Sequence, residues 1–266
     1  MTEPQIQTAP AYVQGHRLLA GKSVLITAAA GAGIGFAAAR RAAEEGCRAL
    51  FISDIHEQRL EQAVDTLRAE TGLQRIYGRL ANVAVEDDVR ALVADAQSRL
   101  DGVDVLINNA GLGGAKRIVE MDDAEWSRVI DISLTGTFRM TRAMLPHMQA
   151  RGRGAIVNNA SVLGWRAQAE QAHYAAAKAG VMALTRCAAL EAAPYGVRIN
   201  AVAPSIAMHD FLKKSAPADL LDQLASREAF GRAAEVWEVA NVMVFLASDY
   251  ASYMTGEVLS VSSQHA

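Results

Sequence analysis

Ser23-Val-Leu-Ile-Thr-Ala-Ala-Ala-Gly31-Ala-Gly33-Ile34-Gly35 joins an apolar run to a glycine cluster, after which the chain enters an alanine-rich segment of helical character. Glycines at such a junction let backbone approach a pyrophosphate, and the following helix offers free N–H groups and its positive dipole end to the anion. Asp54 closes the next apolar run about twenty residues on, where a carboxylate can accept hydrogen bonds from a ribose diol and would repel a 2′-phosphate. Glycine also serves any tight turn, so the cluster counts through its position and its acidic partner. Together they point to a dinucleotide, NAD rather than NADP, bound by Gly31, Gly33, Ile34, Gly35 and Asp54.

Outward from this unit, short apolar runs alternate with longer helix-patterned segments, which is how a parallel sheet with crossover helices reads. Strands are expected at Ser23 to Ala28, Ala49 to Ser53, Arg75 to Gly78, Val103 to Ile107, Gly154 to Asn158, Arg198 to Val202 and Val258 to Val261. Helices are expected near Ile34 to Glu45, Glu57 to Glu70, Glu86 to Leu100, Asp123 to Ala150, Gln171 to Ala193 and Ala234 to Ser248. Several strands are almost continuously apolar, as when helices cover both faces of a sheet. The expected fold class is α/β, a doubly wound seven-stranded parallel sheet in a single domain spanning 21–266. Residues 1–20, with early acid and proline, read as a flexible N-terminal arm. The stretch 205–230 breaks the alternation with mixed polarity, Lys213, Lys214 and Pro217, and long irregular connections of this kind are often lids.

Composition narrows the class of function. With 51% hydrophobic and 21% charged residues the chain has material for a large core and is unlike a disordered segment. Its 26 basic and 29 acidic residues supply no basic footprint for nucleic acid or an anionic membrane. The longest uncharged run, Ser23 to Ala39, holds three glycines and falls short of the roughly 20 apolar residues of a span. The two cysteines, Cys47 and Cys187, are far apart, so neither a disulfide nor a metal site is expected. A reducing, cytoplasmic compartment fits.

The chemistry-bearing residues follow the fourth and fifth strands. Tyr174 and Lys178 lie four residues apart in a helical pattern, hence on one face. A phenol titrates near pKa 10, and a neighbouring cation favours the phenolate. Ser161, thirteen residues before Tyr174, can share a hydrogen bond at the same reacting oxygen. Proton, polarising charge and orienting hydroxyl are then together. A lone Tyr-x-x-x-Lys is more often a surface pair, and Asn108-Asn109-Ala110-Gly111 alone would read as a turn. The conjunction outweighs both.

With these residues in view, the chain resembles the short-chain dehydrogenase/reductase family from about Lys22 to Val261. Asn200-Ala-Val-Ala-Pro204, Gly231-Arg232, Phe245-Leu-Ala-Ser-Asp249 and Thr255-Gly256 add to the match. The resemblance implies a Rossmann fold and hydride exchange between a nicotinamide and a ketone or secondary alcohol. Tyr174 would move the proton, Ser161 hold the oxygen and Lys178 grip the nicotinamide ribose. Asn82 and Val83 would flank the adenine; Asn109, Ala110 and Gly111 would line the cleft, with Pro204 and Ala207 near the nicotinamide. It also implies a homo-oligomer, a tetramer or else a dimer, built on the helices Asp123 to Ala150 and Gln171 to Ala193.

The chain departs from the family pattern in several places. The glycine loop is one residue longer, and its first glycine is Ala28. Ser133 stands where the family has an asparagine that anchors a relay water beside Lys178, and His209 where it has a threonine. The loop is also similar to that of actinobacterial reductases of steroid-ring breakdown, some acting on coenzyme A thioesters. Lys116, Arg117, Arg166, Lys213 and Lys214 are candidate cations for such a substrate's phosphates. Two rivals remain: a non-catalytic NAD-binding module, kept open by Ser133, Ser205 and His209, and a sugar-nucleotide epimerase or dehydratase using the same Tyr and Lys.

Overall fold

The structure is a computed structural model that describes residues 7–215 and 218–263. Seven strands form one parallel sheet, β1 (Ser23–Ile26), β2 (Ala49–Asp54), β3 (Ile76–Leu80), β4 (Val105–Asn108), β5 (Gly154–Asn159), β6 (Val197–Pro204) and β9 (Val258–Val261), in the order β3-β2-β1-β4-β5-β6-β9. Consecutive strands run outward from β1 in one direction and, from β4, in the other. The strand order reverses between β1 and β4, and sheets of this kind bind ligands outside the carboxyl ends of the strands at such a switch point. A separate pair, β7 (Ala207–Met208) and β8 (Ala234–Glu235), lies beyond β6.

Burial follows the apolar runs. Every residue of β1, β2 and β4 is buried, as expected of strands covered on both faces. On one face α1 (Ile34–Glu44) and α9 (Val236–Ala247) pack with α2 (Glu57–Thr71) over Val24, Ile26, Leu50 and Ile52. On the other, α3 (Glu86–Leu100), α5 (Gly136–Ala150) and α6 (Ala172–Ala192) cover Leu25, Phe51, Leu106 and Ile156. Each such side chain contributes about 1.5–3 kcal/mol by leaving water. A polar chain crosses this layer: Asn108 donates to Thr141 (3.2 Å) and Asn158 (2.9 Å), and Asn158 donates to Thr185 (2.9 Å).

Several expectations are corrected. β1 stops at Ile26, because Ala28 turns into the left-handed region at φ 51°. β2 reaches Asp54, and α9 begins at Val236 because residues 234 and 235 belong to β8. The helix expected from Asp123 to Ala150 is divided into α4 (Asp123–Ile130), a π-helical turn (Asp131–Thr135) and α5. The stretch 205–230, expected to be irregular, carries β7, α7 (Asp210–Ser215) and α8 (Ala218–Ser226).

The arm also differs from expectation over residues 7–20. Glu45, wholly buried, accepts the N–H groups of His16 (2.7 Å) and Leu18 (2.9 Å) and pairs with Arg41 at 2.5 Å. Arg41 in turn donates to the Val13 and Gln14 carbonyls. Tyr12 stands edge-on to Trp237 with ring centroids 5.4 Å apart. A buried ion pair whose spare valences are filled by one segment fixes that segment, since removing either side leaves a charge uncompensated.

Candidate active site

The glycine loop fills the gap between β1 and α1. Gly31 lies at φ 102°, which disfavours any side chain, and no atom stands within 4 Å of the place a Cβ would take at Gly31 or Gly33. The N-cap of α1, Gly33, has no side-chain cap, and no acid lies in the first turn. Unoccupied N–H groups, open space and a positive dipole end suit a phosphate group. Ile34 begins α1. Gly35 fits for a different reason: a Cβ there would lie 2.4 Å from both the Ala28 carbonyl oxygen and Asn109 Nδ2.

Asn109 ties this loop to β4. Its Nδ2 donates to the carbonyls of Thr27 (3.2 Å) and Ala28 (2.9 Å), and its N–H, like that of Ala110, donates to Thr27 Oγ1 at 3.0 Å. Asn159 Nδ2 donates to Asn109 Oδ1 at 3.0 Å, and the Asn159 carbonyl accepts Lys178 Nζ at 2.6 Å. One polar relay thus fastens glycine loop, β4, β5 and α6. Asn159 and Thr27 were not singled out from the sequence; a second asparagine at a strand's carboxyl end was the available signal. The bond to Ala28 also helps hold a non-glycine residue at positive φ, a conformation costing roughly 1–2 kcal/mol.

Asp54 lies at the end of β2, 7% exposed. It accepts N–H groups from Ala30 (3.2 Å), Ile55 (2.8 Å) and His56 (3.2 Å), and Arg59 approaches to 3.9 Å. Burial holds its carboxyl above the ordinary value, against the pull of Ala30, Ile55 and Arg59. Arg59, about one helical turn beyond Ile55 and His56, thus sets a cation beside the carboxylate that the sequence reading assigned to the ribose. Asn82 Oδ1 accepts the Ala84 N–H at 3.0 Å, and Asp88 holds the Asn82 N–H at 2.9 Å. Val83 is buried, and a Cβ on Gly136 would come within 2.6 Å of it; its side chain therefore packs against α5. Pro204 ends β6, and Ala207 is buried in β7.

Ser161, Tyr174 and Lys178 converge. Ser161, in extended conformation, caps the short 3₁₀ turn Val162–Gly164 by accepting the Leu163 N–H at 3.2 Å, and it hydrogen-bonds Tyr174. Lys178 Nζ is 5.4 Å from the centre of the Tyr174 ring. Tyr174 keeps part of its surface open, while Lys178 is only 2% exposed. Burial pushes the Tyr174 phenol up to about 12, with the Ser161 bond opposing. Burial also pushes the Lys178 ammonium down to about 8. The expectation that the lysine draws the phenol down is not met in this state: burial dominates, and the opposing pull comes from Ser161.

A glycine-rich stretch passes over these groups. A Cβ on Gly111 would lie 3.3 Å from Lys178 Nζ and 3.8 Å from Ser133 Oγ, and one on Gly113 3.8 Å from the Tyr174 ring. Ser133, fully buried in the π-helical turn, donates to the Leu112 carbonyl and accepts the Leu112 N–H, both at 2.9 Å. Expected at a proton relay, its hydroxyl is instead committed to positioning this loop. Further out, the Lys116 N–H bonds the Glu170 carbonyl at 2.9 Å, joining the loop to the segment before α6, and Arg117 pairs with Glu120 at 3.4 Å. Trp165 is 51% exposed. Lys213 is exposed, and the Lys214 side chain lies outside the described residues. No cluster of three or more His, Cys, Asp or Glu able to hold a metal occurs among the described residues. Nor, among them, is any helix long and apolar enough to cross a membrane.

A glycine loop at the β1–α1 junction together with a Ser, Tyr, Lys site at the same edge of the sheet is matched by comparison with known proteins. The family described as enoyl-(acyl carrier protein) reductase, of the short-chain dehydrogenase/reductase type, matches residues 28–263. The chain is a short-chain dehydrogenase/reductase. It is 59% identical over 261 residues, 98% of this chain and 99% of the relative, to "(5R,7aS)-5-hydroxy-7a-methyl-1-oxo-2,3,5,6,7,7a-hexahydro-1H-indene-carboxyl-CoA reductase" of Mycobacterium tuberculosis. It is 43% identical over 241 residues, 90% of this chain and 94% of the relative, to cis-4-hydroxycyclohexanecarboxylate dehydrogenase of Sinomonas cyclohexanicum. A short-chain dehydrogenase from Mycobacterium smegmatis superposes with a TM-score of 0.87 at 53% identity, covering 98% of this chain and 100% of that one. The seven-stranded Rossmann-type sheet and the resemblance to members of this family stand on these findings together with the fold.

Proposed function

We propose that this short-chain dehydrogenase/reductase interconverts an alicyclic secondary alcohol and its ketone with NAD(H), on a substrate of the kind met in steroid-ring breakdown. The observation that carries the reading is the meeting of Ser161, Tyr174 and Lys178 under Gly111 and Gly113 at the carboxyl ends of the strands. The bound nicotinamide would take or give the hydride. Tyr174 Oη moves the proton at the substrate oxygen, and Ser161 Oγ, already bonded to it, orients that oxygen. Lys178 stands on the Asn159 carbonyl with donors left for a ribose hydroxyl. Gly31, Gly33 and the α1 N-terminus take the pyrophosphate, and Asp54 the adenosine ribose. Both relatives bear names of ring substrates, one of them a carboxyl-CoA and the other a carboxylate, which supports the ring assignment and the acyl-CoA possibility within it.

A panel of ring ketones and alcohols, free and as acyl-CoA thioesters, assayed with both cofactors tests this reading. Turnover should occur in wild type and fall about 10²–10⁴-fold in Tyr174→Phe, with the circular dichroism spectrum retained. Tyr174→Phe within a few-fold of wild type would sink the assignment. Cofactor bound without any turnover would favour the non-catalytic module.

A further inference from the structure

The glycine-rich stretch covers one more group. His173, beside Tyr174 in the first turn of α6, is wholly buried, and neither Nδ1 nor Nε2 has a hydrogen-bond partner. An imidazole carries at least one N–H in either protonation state. A buried donor is therefore unmet, at a cost that an apolar ring in the same place would avoid. Such an orphan beside an acid/base group calls for a state in which it is satisfied.

The surroundings indicate which state that is. His173 Nε2 lies 3.3 Å, and Glu125 Oε1 of α4 lies 3.7 Å, from the point a Cβ on Gly114 would occupy. A single glycine separates a donor ring on one helix from a carboxylate on another. Gly114 continues the stretch that passes over Lys178 and Tyr174, so outward movement of residues 113–115 uncovers Tyr174 and His173 together. A molecule entering there with its reacting oxygen on Tyr174 meets the imidazole with another part of itself. Glu125 alongside disfavours an anion and leaves a neutral carbonyl as the matching acceptor.

We propose that His173 is a specificity-determining residue, whose Nε2–H donates to a second, uncharged carbonyl oxygen of an alicyclic substrate when residues 113–115 shift to admit it. This rests on the alicyclic reading above and narrows it to ring alcohols bearing an ester or thioester rather than a free acid. The name of one relative places a carboxyl-CoA on the ring system of its substrate.

The test uses the methyl ester of 4-hydroxycyclohexanecarboxylate, the free acid and cyclohexanol, with wild type, His173→Phe and His173→Gln. Wild type should favour the ester over both others. In His173→Phe the ester-to-cyclohexanol ratio of kcat/KM should fall at least about tenfold, mainly through KM, while Tm stays at or above wild type because the orphan is gone. His173→Gln retains a donor and should keep more of the ratio. Where His173→Phe does not fold, His173→Leu replaces it. An unmoved ratio, a Gln variant that loses as much as the apolar one, or an apolar variant melting below wild type overturns the role of His173. Turnover of none of the ring alcohols by wild type overturns the alicyclic reading itself.

Discussion

At the scale of single residues, the site is governed by competition between desolvation and hydrogen bonding. A phenol pushed up to about 12 is protonated across neutral pH, ready to donate to a ketone and able to accept only as pH climbs. Reduction should therefore hold level over neutral pH, while alcohol oxidation should rise from neutral pH through the alkaline range. Initial rates in both directions check the sign, and an oxidation rate flat over that range would count against Tyr174 as base. Above the Lys178 value of about 8 the ammonium begins to lose the proton that favours phenolate. Below about pH 8, where the ammonium is still charged, Lys178→Ala should lower the oxidation rate relative to wild type and weaken cofactor binding, with the difference in rate narrowing above it; an unchanged profile would remove Lys178 from this role. Asp54 makes a second residue-scale case. Its carboxylate should favour NAD(H), although Arg59, 3.9 Å away, offers a cation to a 2′-phosphate if the pair opens. Asp54→Ala should shift the ratio of kcat/KM for the two cofactors toward NADP(H) by about tenfold or more, roughly 1.4 kcal/mol. Wild-type preference for NADP(H), or an unaltered ratio in the mutant, would show that Asp54 does not read the ribose.

At the scale of elements, the region from Ser205 to Phe230 is the proposed lid, and its distal end is anchored. Glu228, 4% exposed, accepts both the N–H and the hydroxyl of Ser263 at 3.1 Å, and the Ala229 N–H bonds the Ser263 carbonyl at 2.7 Å. The Phe230 carbonyl accepts the Gln7 N–H at 3.2 Å. Both the arm and the last strand's extension therefore hold the distal root, while in α8 only Leu221 is buried. Hydrogen exchange across 205–230 should slow on addition of cofactor and product, with the root already protected. Equal exchange with and without ligands would count against closure. Elements were also where the sequence was least legible. The alternation of apolar runs and helical patterns marked the sheet well, because a strand covered on both faces has little freedom of composition. The π-helical turn left no mark: Asp131-Ile-Ser-Leu-Thr has ordinary helical character, and what breaks the pattern is Ser133 bonding the distant Leu112. The docking of the arm was equally hidden, since a buried Arg41–Glu45 pair looks like any i, i+4 surface pair.

At the scale of the molecule, the proposed catalytic groups were legible because each follows a strand at the same edge of the sheet, whereas their supports were not. Asn159 and Thr27 act through contacts between residues tens of positions apart, which no local pattern encodes. Assembly is the remaining question at this scale. Exposed apolar residues lie on the two segments expected at an interface, the first of them divided into α4 and α5: Trp126 at 41% on α4, Phe138 at 40% on α5 and Leu190 at 78% on α6. Of the small residues on α6, Gly180 is accounted for within the chain, since a Cβ there would meet Leu134 at 2.6 Å. The apolar positions still favour self-association, a tetramer first and a dimer second. Sedimentation at micromolar concentration should show one of these, and a monomer would refute the interface.

The π-helical turn between α4 and α5 has a consequence in angular phase. One residue of an α-helix turns the chain by about 100°, so a turn holding one extra residue resets the azimuth of everything after it. Met140, Met144 and Met148 of α5 face the core at 0% exposure only in the azimuth this turn provides. Deleting a single residue from 131–135 would leave a longer and locally more regular helix while rotating those methionines out of the core by roughly a quarter-turn. A shorter sequence would then be better helix and worse protein, which makes this turn a place where length, more than composition, is held fixed.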